Sequence, residues 1–323
     1  MTALARWLAG LAAVAAALVA PPAWAQRTWW SAEPLALNTE LPDATAPPSL
    51  VDLTHRGLWY GVETTFASLK PYPTTTGGSA PPRTVAWLMR AEGEVSIYRR
   101  RWYAGAALST AYGQTPGSSA GNVLLGYPEI WTRAVWASRS GLAYGGGLSA
   151  VIPVFKRDAE SDSARVAESV RVVRPWDFAP FADNTLSLQP YLDARVIDGR
   201  VSFQLRQGFV IQGLVAQARL PNVSVVSRTT LSLGYQPSEY FALGLEVQEV
   251  YFISTSFEAA CQARRTSCDD SLRAVFAVSP SVRLLTRVFQ PSLSILLPFD
   301  RTLYDSVDSY WGLRLGLSAV YGD

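Results

Sequence analysis

The sequence predicts an all-β protein: a transmembrane, antiparallel up-and-down β-barrel of about twelve strands, with ten to fourteen as the bounds. Three observations predict it. Apolar and polar residues alternate with a period of two through most of the chain, short and long connections alternate between those segments, and aromatic residues gather near segment ends.

Composition sets the frame. Of 323 residues, 49% are hydrophobic and only 17% are charged, against about 25% charged in soluble domains. The chain carries 11 Trp, 14 Tyr and 12 Phe. The formal net charge is +2 with no clustered basic stretch, so no nucleic-acid partner is expected. Beyond the extreme N-terminus there is no apolar run of about 18 residues, which argues against membrane-spanning helices.

Residues 1–25 read as a secretory signal peptide. Arg6 supplies the basic start, Leu8 to Ala20 the apolar core, and Ala23-Trp24-Ala25 a small-x-small cleavage site. Residues 26–56, with Trp29-Trp30, Pro34, Pro42 and Pro47-Pro48, form a Pro-rich periplasmic segment or plug. The barrel is expected over 57–323.

Twelve alternating segments follow, at 57–68, 83–97, 102–112, 122–138, 141–153, 184–197, 200–212, 223–236, 240–253, 272–286, 288–299 and 309–321. In the sixth, Leu186, Leu188, Leu192, Ala194 and Val196 oppose Thr185, Ser187, Gln189, Asp193 and Arg195. In the second, Val85, Trp87, Met89, Val95 and Ile97 oppose Arg90, Glu92, Glu94 and Ser96. That period belongs to strands with one apolar face. Tight connections near 99–100, 139–140, 198–199, 237–239 and 287 alternate with long polar ones. Short periplasmic turns and long external loops give this asymmetry. A soluble β-sandwich shows the same rhythm, but its solvated face needs more charge than Ala143, Gly145, Gly147 and Ser149 supply.

Cys261 and Cys268 stand in a polar external connection. In an oxidising compartment the pair is expected to form a disulfide. Neither a metal nor any other cofactor is expected.

The phase of the alternation sends an ionisable set inward. The bases are Arg90, Arg133, Arg195, Arg206, Arg228, Arg273, Arg283, Arg287 and Arg314; the acids are Glu63, Glu92, Glu94, Glu129, Asp193 and Glu246. This predicts a lumen with a basic excess, and Arg90, Glu92, Arg133, Asp193, Arg195, Arg206 and Arg314 are its expected lining. Such a ring either focuses an anionic solute or is the self-neutralised polar face that any barrel lumen has. The connection at 154–183 is too long for a simple loop. Its plainer reading is a solvated external loop; the other is a segment folded into the mouth, with a helical stretch over Ala159–Val170.

Catalytic chemistry lacks material. His55 is the only histidine, and it precedes the first strand, so a Ser–His pair or a metal triad has no second member. No H-E-x-x-H, C-x-x-C or phosphate-cradling loop occurs. Gly145-Gly146-Gly147 lies within a strand, where glycine relieves crowding. The expectation is that the protein is not an enzyme.

The whole mature chain resembles bacterial outer-membrane β-barrel proteins. Leu125-Gly126-Tyr127-Pro128-Glu129-Ile130 is similar to a G-x-P-E-[IL] strand start in a loose group of them, and Phe289 to Pro298 resembles another strand of that group. The group includes transporters of the aromatic meta-degradation pathway, distantly like the long-chain fatty acid channel. The resemblance implies the bacterial outer membrane, its lipid and the barrel-assembly machinery as partners. The chain ends Tyr321-Gly322-Asp323, whereas such barrels end on the aromatic that this machinery reads. The function expected is passage of small polar, anionic or mildly apolar solutes through a charged lumen. The alternative is a non-conducting structural or adhesion barrel whose external loops bind a partner.

Overall fold

A computed structural model of the chain describes residues 58–71, 84–98, 101–114, 121–137, 142–157, 176–182, 184–198, 200–214, 223–238, 240–253, 274–285, 289–298 and 307–321, with 166, 167, 170, 173 and 174 between. The signal peptide, the Pro-rich segment, His55, Cys261, Cys268, Arg273 and Arg287 lie outside the described residues.

Among the described residues, thirteen strands form a single sheet. They are β1 (Leu58–Pro71), β2 (Thr84–Tyr98), β3 (Trp102–Gln114), β4 (Gly121–Leu125), β5 (Glu129–Ala137), β6 (Leu142–Val151), β7 (Thr185–Asp198), β8 (Val201–Leu214), β9 (Val223–Tyr235), β10 (Phe241–Phe252), β11 (Ala274–Leu284), β12 (Phe289–Pro298) and β13 (Val307–Tyr321). Every pairing is antiparallel, and β1 pairs with both β2 and β13, so the sheet closes. β4 and β5 lie end to end along β3. The result is a closed barrel of twelve staves. Closure leaves no unpaired sheet edge, which is what lets strands cross lipid. No helix among the described residues is long and apolar enough to cross a membrane.

The two faces separate as the alternation requires. Leu186, Leu188 and Leu192 on β7, Leu231 and Leu233 on β9, and Leu315 and Leu317 on β13 stand exposed on the outside. Their inward neighbours Ser187, Gln189, Asp193, Ser232 and Arg314 are buried. An outside this apolar and an inside this polar invert the arrangement of a water-soluble domain, and the exterior is satisfied only by lipid. A short row departs from the rule. Gln207, Ser227 and Thr229 face outward from β8 and β9, where Gln207 donates to Ser227 at 2.9 Å and accepts from Thr229 at 2.8 Å. Glu249 of β10 joins the row through Thr229.

The segment read as one strand over 122–138 is broken. At Gly126-Tyr127-Pro128 the chain leaves the ladder between β4 and β5. The Gly126 N–H still donates to the Ser109 carbonyl at 2.7 Å. A Cβ on Gly126 would approach that same oxygen to 2.9 Å, so the close approach requires glycine. The break turns Tyr127 inward, where it is fully buried.

Tyr127 anchors the connection between β6 and β7, which folds into the barrel. The Tyr127 N–H donates to the Pro180 carbonyl at 2.7 Å. The Arg157 guanidinium lies 3.9 Å from the centre of the Tyr127 ring. Asn184 closes the segment on itself: its side-chain oxygen accepts from the Arg157 N–H at 2.9 Å and its amide donates to the Arg157 carbonyl at 2.8 Å. Its backbone N–H donates to the Tyr127 hydroxyl at 3.1 Å. Asn184 is the one described non-glycine residue with a positive φ, 47°, a conformation that asparagine tolerates well.

The solvated-loop reading of this connection is therefore corrected. Val166, Ala167 and Val170 are helical and pack on Leu88, Ala111 and Leu124 of the inner wall. Val173, Trp176, Phe178 and Ala179 pack on a second inner patch, with Val210, Val226, Val250, Leu296 and Tyr310 among its members. The inner face of the outer half of the barrel is thus apolar, and it forms a core with the segment. Burial of two apolar surfaces against each other drives the docking.

Candidate functional site: a charged chamber inside the barrel

Below this core the inner wall turns polar. A chamber of about 120 Å³ opens there, and the inward segment contributes Arg174, Trp176 and Asp177 to its lining. Pockets for drug-sized ligands run from roughly 300 Å³ upward, so this space is narrow. The sequence-predicted Arg90, Glu92, Arg133 and Arg206 line it. Asp193, Arg195 and Arg314 are buried in the inner wall just outside the lining.

Period-two geometry explains how these side chains meet. Arg90 and Glu92 on β2, Arg133 on β5, Asp193 on β7 and Arg206 on β8 all occupy inward positions along one arc of the wall, with β3 between β2 and β5 and β6 between β5 and β7. The Arg133 guanidinium grips Glu94 through two contacts, at 2.5 and 2.8 Å. The same carboxylate accepts from the Trp131 indole N–H at 2.6 Å. The Trp131 ring lies over Gly105, where a Cβ would come within 2.3 Å of it. Arg206 grips Asp193 in the same two-pronged manner, at 2.6 and 2.9 Å, and stacks 4.6 Å from the centre of the Tyr191 ring. Arg314 reaches Glu246 at 3.1 Å and Ser294 at 2.8 Å.

The inward segment ties into this network by charge. Arg90 pairs with Glu92 at 2.9 Å, with Glu129 at 2.8 Å and with Asp177 at 3.5 Å. Arg174 pairs with Glu63 of β1 and with Asp177 at 3.0 Å. Burial pushes the Asp177 carboxyl up. The guanidinium groups of Arg90 and Arg174 more than offset that, and they hold it below the usual carboxylate range.

The basic excess expected is a property of the whole lumen, and the chamber has a balance of its own among the described residues. Five arginines line the chamber against six carboxylates. The inward segment adds Arg174 and Asp177 to the set; Arg195, Arg283, Arg314 and Asp193 lie in the inner wall outside the chamber lining, and Arg273 and Arg287 lie outside the described residues. Sequence reasoning missed Arg174, Trp176 and Asp177. Their one signal is the cation–proline–aromatic–acid run Arg174-Pro175-Trp176-Asp177, unusual for a solvated loop.

No family model matches the chain, and no curated protein matches it. Solved structures do. The NanC porin covers 81% of this chain over 100% of its own length, at 10% identity and a TM-score of 0.50. An outer membrane channel from Pseudomonas putida F1 covers 86% of this chain over 98% of its own, at 10% identity and a TM-score of 0.57. At such identity the likeness is one of fold. Together with the apolar outer belt, it shows that the chain is a closed, lipid-facing β-barrel of porin-like architecture.

Proposed function

We propose that the barrel is a narrow outer-membrane channel for small polar, anionic or mildly apolar solutes, with the docked segment between β6 and β7 as its constriction. The observation that carries the reading is the polar, ion-paired chamber beneath that segment. A barrel built only for structure gains nothing from burying so many charges, since desolvating them is costly even when they are paired. Charged rings in a confined path select solutes by sign. Arg90, Arg133 and Arg206 are the proposed selectivity residues at the chamber surface, with Glu92 as their counter-charge. Asp193 and Arg314 position their partners Arg206 and Glu246, and Arg195 extends the polar wall below.

The second reading, a non-conducting structural or adhesion barrel, draws on the apolar core that fills the outer half and on the small chamber. Planar-bilayer recording separates the two. Stepwise currents whose ion selectivity changes in Arg90→Ala or Arg206→Ala support the channel; a silent bilayer, with the barrel shown to be inserted, supports the closed barrel.

The remaining sequence readings belong to the same proposal. The protein is exported by cleavage after Ala25, inserted by the barrel-assembly machinery, stapled externally by Cys261–Cys268, and not an enzyme. Retention of lipid or peptide hydrolysis by purified protein, and its loss in His55→Ala, would overturn the last of these.

A further inference from the structure

Each arginine of the chamber wall has a carboxylate of its own, with one exception among the described residues. Arg90, Arg133, Arg174 and Arg206 each pair with an acid within 4 Å. Arg228 of β9 has none; it donates to the neutral Gln189 at 2.8 Å. A buried guanidinium costs a great deal unless it is hydrogen-bonded to an anion. Trp176 lines the same chamber from the inward segment. It is 6% exposed, and its indole N–H has no acceptor among the described residues. A buried donor left without an acceptor is also rare and costly. The wall thus brings a partly buried guanidinium with no carboxylate within 4 Å, and the segment brings an unsatisfied donor, to one small space.

We propose that Arg228 and the Trp176 indole N–H form a binding site for a small monocarboxylate, held between the barrel wall and the docked segment. This rests on reading the chamber as the solute path. Charge selects the class. One guanidinium has no carboxylate in direct contact, Asp177 and Glu129 acting on it only from beyond ion-pair distance, while carboxylates outnumber arginines around the chamber as a whole, so a single negative charge is matched and a polyanion is repelled. Size agrees, since about 120 Å³ admits a carboxylate with a short chain and a few waters. A carboxylate has two oxygens, one for the guanidinium and one for the indole N–H.

The test uses the full-length mature protein in lipid nanodiscs, with ¹⁵N-labelled tryptophan and butyrate as the probe. The indole signal of Trp176 is assigned by its loss in Trp176→Phe. Butyrate shifts that signal saturably, and butyramide, its neutral analogue, does not. Arg228→Gln weakens binding by about tenfold to a hundredfold, the worth of a hydrogen bond to a charged group, and Arg228→Lys by less. No saturable shift, an equal shift with butyramide, equal binding of inorganic phosphate, or indifference to Arg228→Gln overturns the site. The butyramide comparison needs no variant to fold. Bilayer currents from the same preparation keep the two readings apart. Conduction without butyrate binding sinks the site alone, and binding without conduction sinks the channel alone.

Discussion

Glu94 shows what a single buried charge does in this lumen. Its carboxylate accepts from the Arg133 guanidinium and the Trp131 indole, and both ions of the pair are almost fully buried. Removing one partner leaves the other charge buried and uncompensated, at a cost of about 3–5 kcal/mol. Glu94→Ala should therefore unfold at markedly lower urea in lipid vesicles, and the double change Glu94→Leu with Arg133→Met should recover much of the loss. Equal stability of the two variants would show that the loss does not come from leaving Arg133 unpaired.

Asp177 sets a pH dependence of definite sign. Its carboxyl titrates below its unfolded value when the segment is docked, so its contribution to docking is complete above about pH 4, where an ordinary aspartate is ionised. It is lost as pH falls further, through the lowered folded value. Tryptophan fluorescence and bilayer current should be flat from neutrality to about pH 5 and change only below about pH 4. In Asp177→Asn the acid transition should shrink. A transition centred near pH 6 would place the switch elsewhere.

At the scale of elements, the break at Gly126–Pro128 and the connection between β6 and β7 act as one unit. The break turns Tyr127 inward, and Tyr127 then holds both ends of the segment through Arg157 and Asn184. Tyr127→Ala removes a fully buried ring, a change that costs about 3–5 kcal/mol for large aromatics. The loss should fall on docking, seen as faster proteolysis between Arg157 and Arg174 while the strands resist. The outward row on β8, β9 and β10 is a separate case. Glu249 faces lipid beside Thr229, Gln207 and Ser227, where an acid is disfavoured by an amount that depends on its depth. Glu249→Leu should stabilise the barrel by about 1–2 kcal/mol in urea unfolding, and no gain would show that the row does not face hydrocarbon.

For the whole molecule, the wall and the constriction are separable. The wall closes through β1, which pairs with β2 on one side and β13 on the other, and none of these ladders involves the β6–β7 segment. Deleting 158–182 with a short linker should leave a folded, heat-resistant barrel and raise its conductance severalfold. Unchanged conductance would mean that the segment does not lie on the path.

The sequence by itself determined the closed wall, the strand positions and the inward phase of Arg90, Arg133, Asp193, Arg206 and Arg314. It did so because lipid imposes a strict rule: each strand shows apolar residues to one side at every second position, whatever its neighbours do. Tertiary structure alone decided how the lumen is filled. Val210, Val226 and Leu296 sit in stretches that are apolar on both faces, which period two leaves ambiguous. Their partners Val173, Trp176 and Phe178 come from a connection with no period at all. Which carboxylate each arginine meets depends on barrel curvature and on that segment, both set by contacts far apart in the chain. Lipid is a uniform partner whose demand is written locally in each strand, whereas the inside of the barrel is met only by other parts of the same molecule.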